Sequence, residues 1–443
     1  MAMHVTVDAN RMPSTRSRKS RLYPWLVFAL TFALLLSDYM SRQVLSAVFP
    51  ILKSEWSLSD SHLASLNSIV ALMVGLLTLP LSLVADRWGR VRSLTLMAVL
   101  WSLATLACAV AASFDQMLWA RFLVGVGEAA YGSVGIAVVL SVFAPRVHAA
   151  MGASFMAGGS FGSVVGVALG GLLAVHLGWR WSFAAMAVFG LILVALFRAV
   201  VNERRLARYA VDQNQPSAAC VDAPRRLRAP LSSLYTNPSV LCAYIGGGLQ
   251  MFTAAVLLAW MPSYFNRYHH LGTAKAAGVA AIFVLLVGSG MVVCGIITDR
   301  IGRADMSRKW TTAVVFCAIS LVCLPVGFWL ASGALSMVLI GLGAFFSAGS
   351  SGPTAAMVAN LTHTTVRASA MGTLTVANNL LGLALGPFVV GILADHFGLL
   401  RALELAPLTY VAAIVALVIG KRLYPAGVRR FNALNESAAY SLR

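Results

Sequence analysis

Two stretches of the chain carry one string: SLVADRWGRVRS at residues 82–93 and GIITDRIGRADMSR at residues 295–308. Each contains D-R-x-G-R, at Asp86–Arg90 and Asp299–Arg303, and each follows a long apolar run. A string repeated this way marks an internal duplication. The 443 residues are 59% hydrophobic and 11% charged, more apolar surface than a soluble fold can cover, so the solvent is a bilayer. Crossing its core of roughly 30 Å takes about 20 apolar residues as a helix. Such segments fall at 24–48, 62–84, 93–112, 115–142, 147–176 and 180–200, and again at 238–265, 273–298, 309–331, 333–358, 366–393 and 399–420. A membrane barrel needs short alternating strands, and no such pattern is visible.

Lys and Arg set the orientation. With the N-terminus in the cytoplasm, that side holds Arg11, Arg16, Arg18, Lys19 and Arg21, then Arg87, Arg90, Arg92 and Arg146. It also holds the basic residues from Arg204 to Arg228, those from Arg300 to Lys309, Arg367 and the tail from Lys421. The other side holds only Lys53, Arg180, Arg267, Lys275 and Arg401, so both termini are expected in the cytoplasm. These loops account for the net charge of +18, and no basic patch interleaved with aromatics suggests nucleic acid. Arginine outnumbers lysine, which points to a GC-rich bacterial genome and an inner membrane. The widest polar gap, 201–237, reads as a linker. The domains expected are a cytoplasmic tail at 1–23, a six-helix bundle at 24–200, that linker, a second bundle at 238–420 and a tail at 421–443.

Six cysteines without CxxC spacing suggest neither a metal site nor a disulfide framework. No Gly-rich phosphate loop, HExxH or triad context points to an enzyme or a cofactor.

The chain resembles the major facilitator superfamily, whose signature between its second and third helices is G-x-x-x-D-R-x-G-R. The second copy matches fully, led by Gly295, while the first has Ser82 in place of the leading glycine. The resemblance implies an all-α membrane protein of twelve transmembrane helices in two pseudo-symmetric six-helix halves. It implies a site between the halves and alternating access. It also implies that Asp86, Arg87, Arg90, Asp299, Arg300 and Arg303 help latch the cytoplasmic face, the competing reading being topology charges alone.

Ionisable residues at membrane depth are costly and usually line a cavity. Here they are Asp38 and Arg42 in the first span and Arg121 and Glu128 in the fourth. Four and seven residues apart, each pair shares a helix face. The helical rise puts both arginines about 9 Å from the outer end, with Asp38 about 15 Å and Glu128 about 20 Å in. That layout suits an anion held by Arg42 and Arg121 and a proton held by Glu128 first and Asp38 second. Two static ion pairs joining the spans are the alternative.

More narrowly, SDYMSRQVLSAV at 37–48 and RFLVGVGEAAYG at 121–132 resemble the anion:cation symporters and the spinster-like transporters. Both groups carry an acid directly before the first-span arginine. Here Ser41 stands in that place, and Asp38 is the candidate replacement. The symporters imply sugar acids and similar organic anions as cargo; the spinster-like group implies lysophospholipids or sphingoid phosphates. Drug:proton antiporters usually carry a Gly-Pro pair in the fifth span, which is missing here. That span instead repeats Gly158, Gly162, Gly166 and Gly170, a stripe for close packing. Tyr131, three residues past Glu128, is expected on its face. Gln250, Asn378 and Asn379 are further candidates for substrate contact. Gly349, Gly352 and Pro353 are expected to weaken the tenth span. Trp260, Tyr264 and Tyr268 read as an interfacial belt. The sum is a monomeric, proton-coupled secondary transporter of a small organic or amphipathic anion. A receptor or a membrane enzyme is the competing class.

Overall fold

The computed structural model describes residues 18–144, 147–206, 233–302, 305–330, 333–363 and 366–440. Arg303, the tail before residue 18 and most of the 201–237 linker lie outside these residues. Among the described residues all regular structure is helical. Twelve helices are long and apolar enough to cross a membrane. In the first half they are α1 (Leu22–Trp56), α2 (Asp60–Ala85), α3 (Arg90–Val110), α4 (Phe114–Val142), α5 (Met151–His176) and α6 (Trp179–Val200). In the second they are α7 (Pro238–Tyr268), α8 (Thr273–Ile301), α9 (Arg308–Trp329), α10 (Ala334–Leu361), α11 (Ser369–Phe397) and α12 (Leu399–Phe431). The last helix runs on to Tyr440, well past residue 420 where sequence reading starts a tail.

Local chemistry fixes the ends. Ser59, Ser113 and Asn237 accept backbone N–H groups at the starts of α2, α4 and α7, satisfying donors that a helix start leaves open. Gly89 joins α2 to α3 at φ +103°, a left-handed conformation costly for any residue with a Cβ. This is the physical use of the glycine in the first D-R-x-G-R.

The glycine stripe of α5 lies against α1. A Cβ on Gly162 would strike the Leu36 carbonyl, and one on Gly166 would come within 2.7 Å of the Met40 backbone. Backbones approach this closely only where side chains are missing. The halves meet where α5 packs on α8 and α2 packs on α11.

The fourth helix of each half is broken at a corresponding place. α4 consists of Phe114–Glu128 and Tyr131–Val142, and α10 of Ala334–Ser347 and Ser351–Leu361. The second break falls at the glycines and proline that foreshadow it. The first has no proline and was not legible in the sequence. α11 passes through a π-helical stretch, Asn378–Ala384, a widened turn of the kind found at functional sites.

Candidate functional site

The four membrane-depth charges come together between α1 and α4, but not in the expected pairs. Arg42 Nε donates to Glu128 Oε2 at 2.5 Å, and Ser41 Oγ donates to Glu128 Oε1 at 3.3 Å. Arg121 has no accessible surface. Its Nε donates to the Leu66 carbonyl of α2 and its Nη1 to the Ser41 carbonyl of α1, both at 3.2 Å, while Nη2 is buried without a partner. Two arginines side by side at one level, free to grip an anion, are therefore not what the fold builds. Arg42 reaches across to the carboxylate of α4, and Arg121 is a strut joining three helices through backbone carbonyls. Asp38 is buried as well, one turn before Arg42, with Oδ1 unpartnered.

Tyr131 needs a second correction. The break at Ala129–Ala130 cancels its i, i+3 relation to Glu128. Its ring packs edge-on to Trp101, its hydroxyl donates to the Thr31 carbonyl at 2.9 Å, and no surface is left for a ligand. Trp260 and Tyr264 need a third. Both are fully buried rather than interfacial, Trp260 at the junction of the halves and Tyr264 inside the second half against Phe328 of α9. Trp260 there meets Phe49 of α1 at 5.5 Å between ring centroids and donates Nε1 to the Pro387 carbonyl of α11.

The second half contributes amides. Gln250 Nε2 donates to the Phe346 carbonyl just before the α10 break at 3.5 Å, leaving Oε1 unpartnered. Asn379 Nδ2 donates to the Thr375 carbonyl one turn back, and the Oδ1 atoms of Asn378 and Asn379 are buried without partners. These three acceptors stand on α7 and α11 of the second half, with Asn379 packed against Gly75 of α2.

A cavity of about 40 Å³ lies between the halves, room for about three water molecules. Arg42 and Gln43 of α1 and Asn67 of α2 form its polar wall, and apolar residues of α2, α7 and α11 form the rest. Sequence reading singled out neither Gln43 nor Asn67. Nothing in a lone amide on a long helix says that it faces a cavity.

The face opposite the termini carries a cluster that sequence reading missed. Asp60, at the start of α2, receives Lys53 Nζ at 2.6 Å and both Arg267 nitrogens, Nη1 at 2.8 Å and Nη2 at 2.5 Å. Asp395, at the end of α11, accepts the backbone N–H groups of Asp60 and Ser61 at 2.6 and 3.0 Å. Arg267 and Asp395 belong to the second half and Asp60 to the first, so the cluster clasps the two. Of the five basic residues expected on this face, four bind carboxylates: Lys53 and Arg267 to Asp60, Arg180 to Glu55 and Arg401 to Glu404.

At the terminal face the duplicated motif divides its work differently in each half. Ser82, standing where the signature has glycine, bonds Ser133 of α4 at 2.7 Å between hydroxyls. Its counterpart Gly295 makes no such bond; a Cβ there would meet nothing within 4 Å, and it is Gly352 of α10 whose missing Cβ lets the two backbones approach. Asp299 pairs with Lys309 of its own half at 3.0 Å. Glu203, just past α6, accepts the Val91 N–H at the start of α3. Arg87, Arg90 and Arg300 are exposed, and the Asp86 side chain lies outside what is described.

Twelve membrane helices in two like halves, with a charged cluster inside the first and a cavity between the two, define a membrane transport fold. The Major Facilitator Superfamily profile matches residues 31–387, and the chain belongs to that family of transporters. It is 27% identical over 325 residues to the probable L-galactonate transporter of Escherichia coli K12, covering 71% of each chain. It is 24% identical over 413 residues to the hexuronate transporter of Bacillus subtilis 168, covering 90% of this chain and 95% of that one. Among solved structures it resembles a bacterial homolog of the human lysosomal transporter Spinster, in an inward-facing and occupied conformation. The TM-score is 0.74 at 19% identity, over 92% of this chain and 97% of that one, which speaks to the fold alone.

Proposed function

We propose that the protein is a proton-coupled secondary transporter that moves a small organic anion by alternating access. The observation that carries this reading is the Arg42–Glu128 pair beside the cavity between the halves. Arg42 is the one cluster arginine that lines the cavity, with its side chain 15% exposed, whereas the Glu128 side chain is sealed. An anion arriving at Arg42 competes with Glu128 for the guanidinium. A carboxylate that loses its cation in a dry site takes up a proton. Substrate binding and protonation are then linked through one side chain. Asp38 stands next to Arg42 on the same helix as the second proton site, in place of the acid missing at Ser41. Arg121 holds the geometry of the pair. Gln250, Asn378 and Asn379 meet the uncharged end of the cargo.

Two of the relatives are named for sugar acids, which supports a carboxylate cargo over a lysolipid. The halves are the six helices from Leu22 to Val200 and the six from Pro238 to Phe431, joined by the linker between them. Positive-inside charge supports cytoplasmic termini, with the Asp60 clasp on the outer, periplasmic face of a bacterial inner membrane. The duplicated D-R-x-G-R strings act as the opposing latch when the cytoplasmic side closes. One chain holds the whole site, so it works as a monomer.

The test is uptake into proteoliposomes of galactonate and glucuronate, with and without an inward proton gradient. Wild type should accumulate one of them only with the gradient. Glu128→Gln should still exchange that anion across the membrane but no longer concentrate it, and Arg42→Ala should do neither. Accumulation by Glu128→Gln at the wild-type level would overturn the proton assignment. Transport by Arg42→Ala would overturn the anion assignment.

A further inference from the structure

The small cavity has a chemical asymmetry. All of its polar lining comes from α1 and α2, while α7 and α11 contribute only apolar residues, among them Leu258, Leu383 and Pro387, beside Val70 and Ala71 of α2. Arg42 already spends Nε on Glu128. Gln43, the next residue, has its Oε1 buried with no hydrogen-bond partner. A buried amide end without a partner costs stability unless something that enters the site satisfies it. Asn67 brings a second amide to the same wall from α2. One cation and two neutral amides are thus gathered around a space the size of a few atoms, facing hydrocarbon.

Depth adds to this. Asn67 lies seven residues below Asp60 on α2, about 10 Å at the helical rise, and Pro387 lies eight residues below Asp395 on α11, about 12 Å. The space therefore sits beneath the clasp, with Arg42 on its wall and Glu128 sealed behind that arginine. A ligand bound there would touch Arg42 of the coupling pair and the helices that the clasp joins.

We propose that this cavity is the subsite for the head of an α-hydroxy acid. Arg42 takes the carboxylate, Gln43 and Asn67 take the hydroxyl on the adjoining carbon, and the wall from α7 and α11 packs on the carbon chain. This rests on the reading of Arg42 as the anion site and adds the substrate class. Gln43 and Asn67 are the residues that separate hydroxylated acids from plain carboxylates. A site built to bond a hydroxyl discriminates strongly against the analogue that lacks it, because its own buried groups are left unpaired.

The experiment is calorimetric titration of the purified full chain with hexanoate and with 2-hydroxyhexanoate. Wild type should prefer the hydroxy acid by about tenfold or more, the scale set by one buried hydrogen bond. Gln43→Met, which keeps length and volume, and Asn67→Leu should each bring the ratio to within about threefold while leaving hexanoate affinity unchanged. The unchanged hexanoate affinity also shows that each variant is folded. A wild type that binds both acids equally, or variants that keep the preference, would overturn the hydroxyl subsite and leave the anion reading standing. A wild type that binds neither acid would overturn both.

Discussion

Asp60→Asn should loosen the clasp between the halves, and its effect can be sized from the structure. The Asp60 side chain is 4% exposed and takes two hydrogen bonds from Arg267, itself 23% exposed, across the junction. Lys53, 35% exposed, belongs to the same half as Asp60 and adds nothing to the link between halves. Exposed ion pairs are worth little, but a two-pronged, largely buried arginine–carboxylate pair lies nearer the 1.5–3 kcal/mol of charged hydrogen bonds. Taking about 2 kcal/mol, and about 1.4 per factor of ten, the ratio of clasped to unclasped molecules falls roughly 30-fold. The variant loses the charge but keeps the shape, and the backbone N–H groups of Asp60 and Ser61 keep their bonds to Asp395. The readout is the distance distribution between spin labels on the α1–α2 and α11–α12 turns. In wild type the short distance should dominate; in Asp60→Asn a longer one should gain population, and high salt, which screens the pair, should move wild type modestly toward the variant. Arg267→Gln should do the same, and the double variant should add almost nothing, since both remove one interaction. An unchanged distribution in both single variants, or additive effects in the double, would refute the reasoning.

Three further outcomes follow from the packing. Gly162→Ala and Gly166→Ala press a methyl group into the α1 backbone and should each cost about 1–3 kcal/mol in thermal unfolding, while Gly278→Ala, whose Cβ meets nothing within 4 Å, should be neutral. Tyr131→Phe leaves the Thr31 carbonyl without its donor, so stability should fall by about 1 kcal/mol with cargo affinity unchanged; a large loss of affinity at normal stability would restore Tyr131 to the site. Gly89→Ala places a Cβ at φ +103° and against the Glu203 carboxylate, and should cost about 1–3 kcal/mol and expose the α2–α3 turn to proteolysis.

The architecture was written in the sequence because a bilayer allows so few solutions. Spans needed only apolar length, and the halves needed only the repeated D-R-x-G-R and one polar gap. The observed helices begin and end within a few residues of the expected ones at most boundaries, the chief exceptions being the longer ends of α1, α11 and α12. The identity of the charged residues was legible for the same reason: four ionisable groups stand out against hydrocarbon.

Their partners were not legible. Spacing within one helix fixes which residues share a face, but not which neighbouring helix that face meets. So Arg42 pairs with Glu128 across two helices, and Arg121 turns to the carbonyls of Leu66 and Ser41. The break at Ala129–Ala130 has no proline to announce it, and it moved Tyr131 out of the site. The clasp joins Asp60, Arg267 and Asp395, residues that look like ordinary loop charges until the far ends of α2, α7 and α11 are brought together. Sequence alone determined the solvent, the number of crossings, the duplication and the stock of charges, since each is a one-dimensional property of the chain. Tertiary structure alone decided which charges pair, which amides face a cavity and where the halves are pinned, since those depend on the rotation and depth at which one helix meets another.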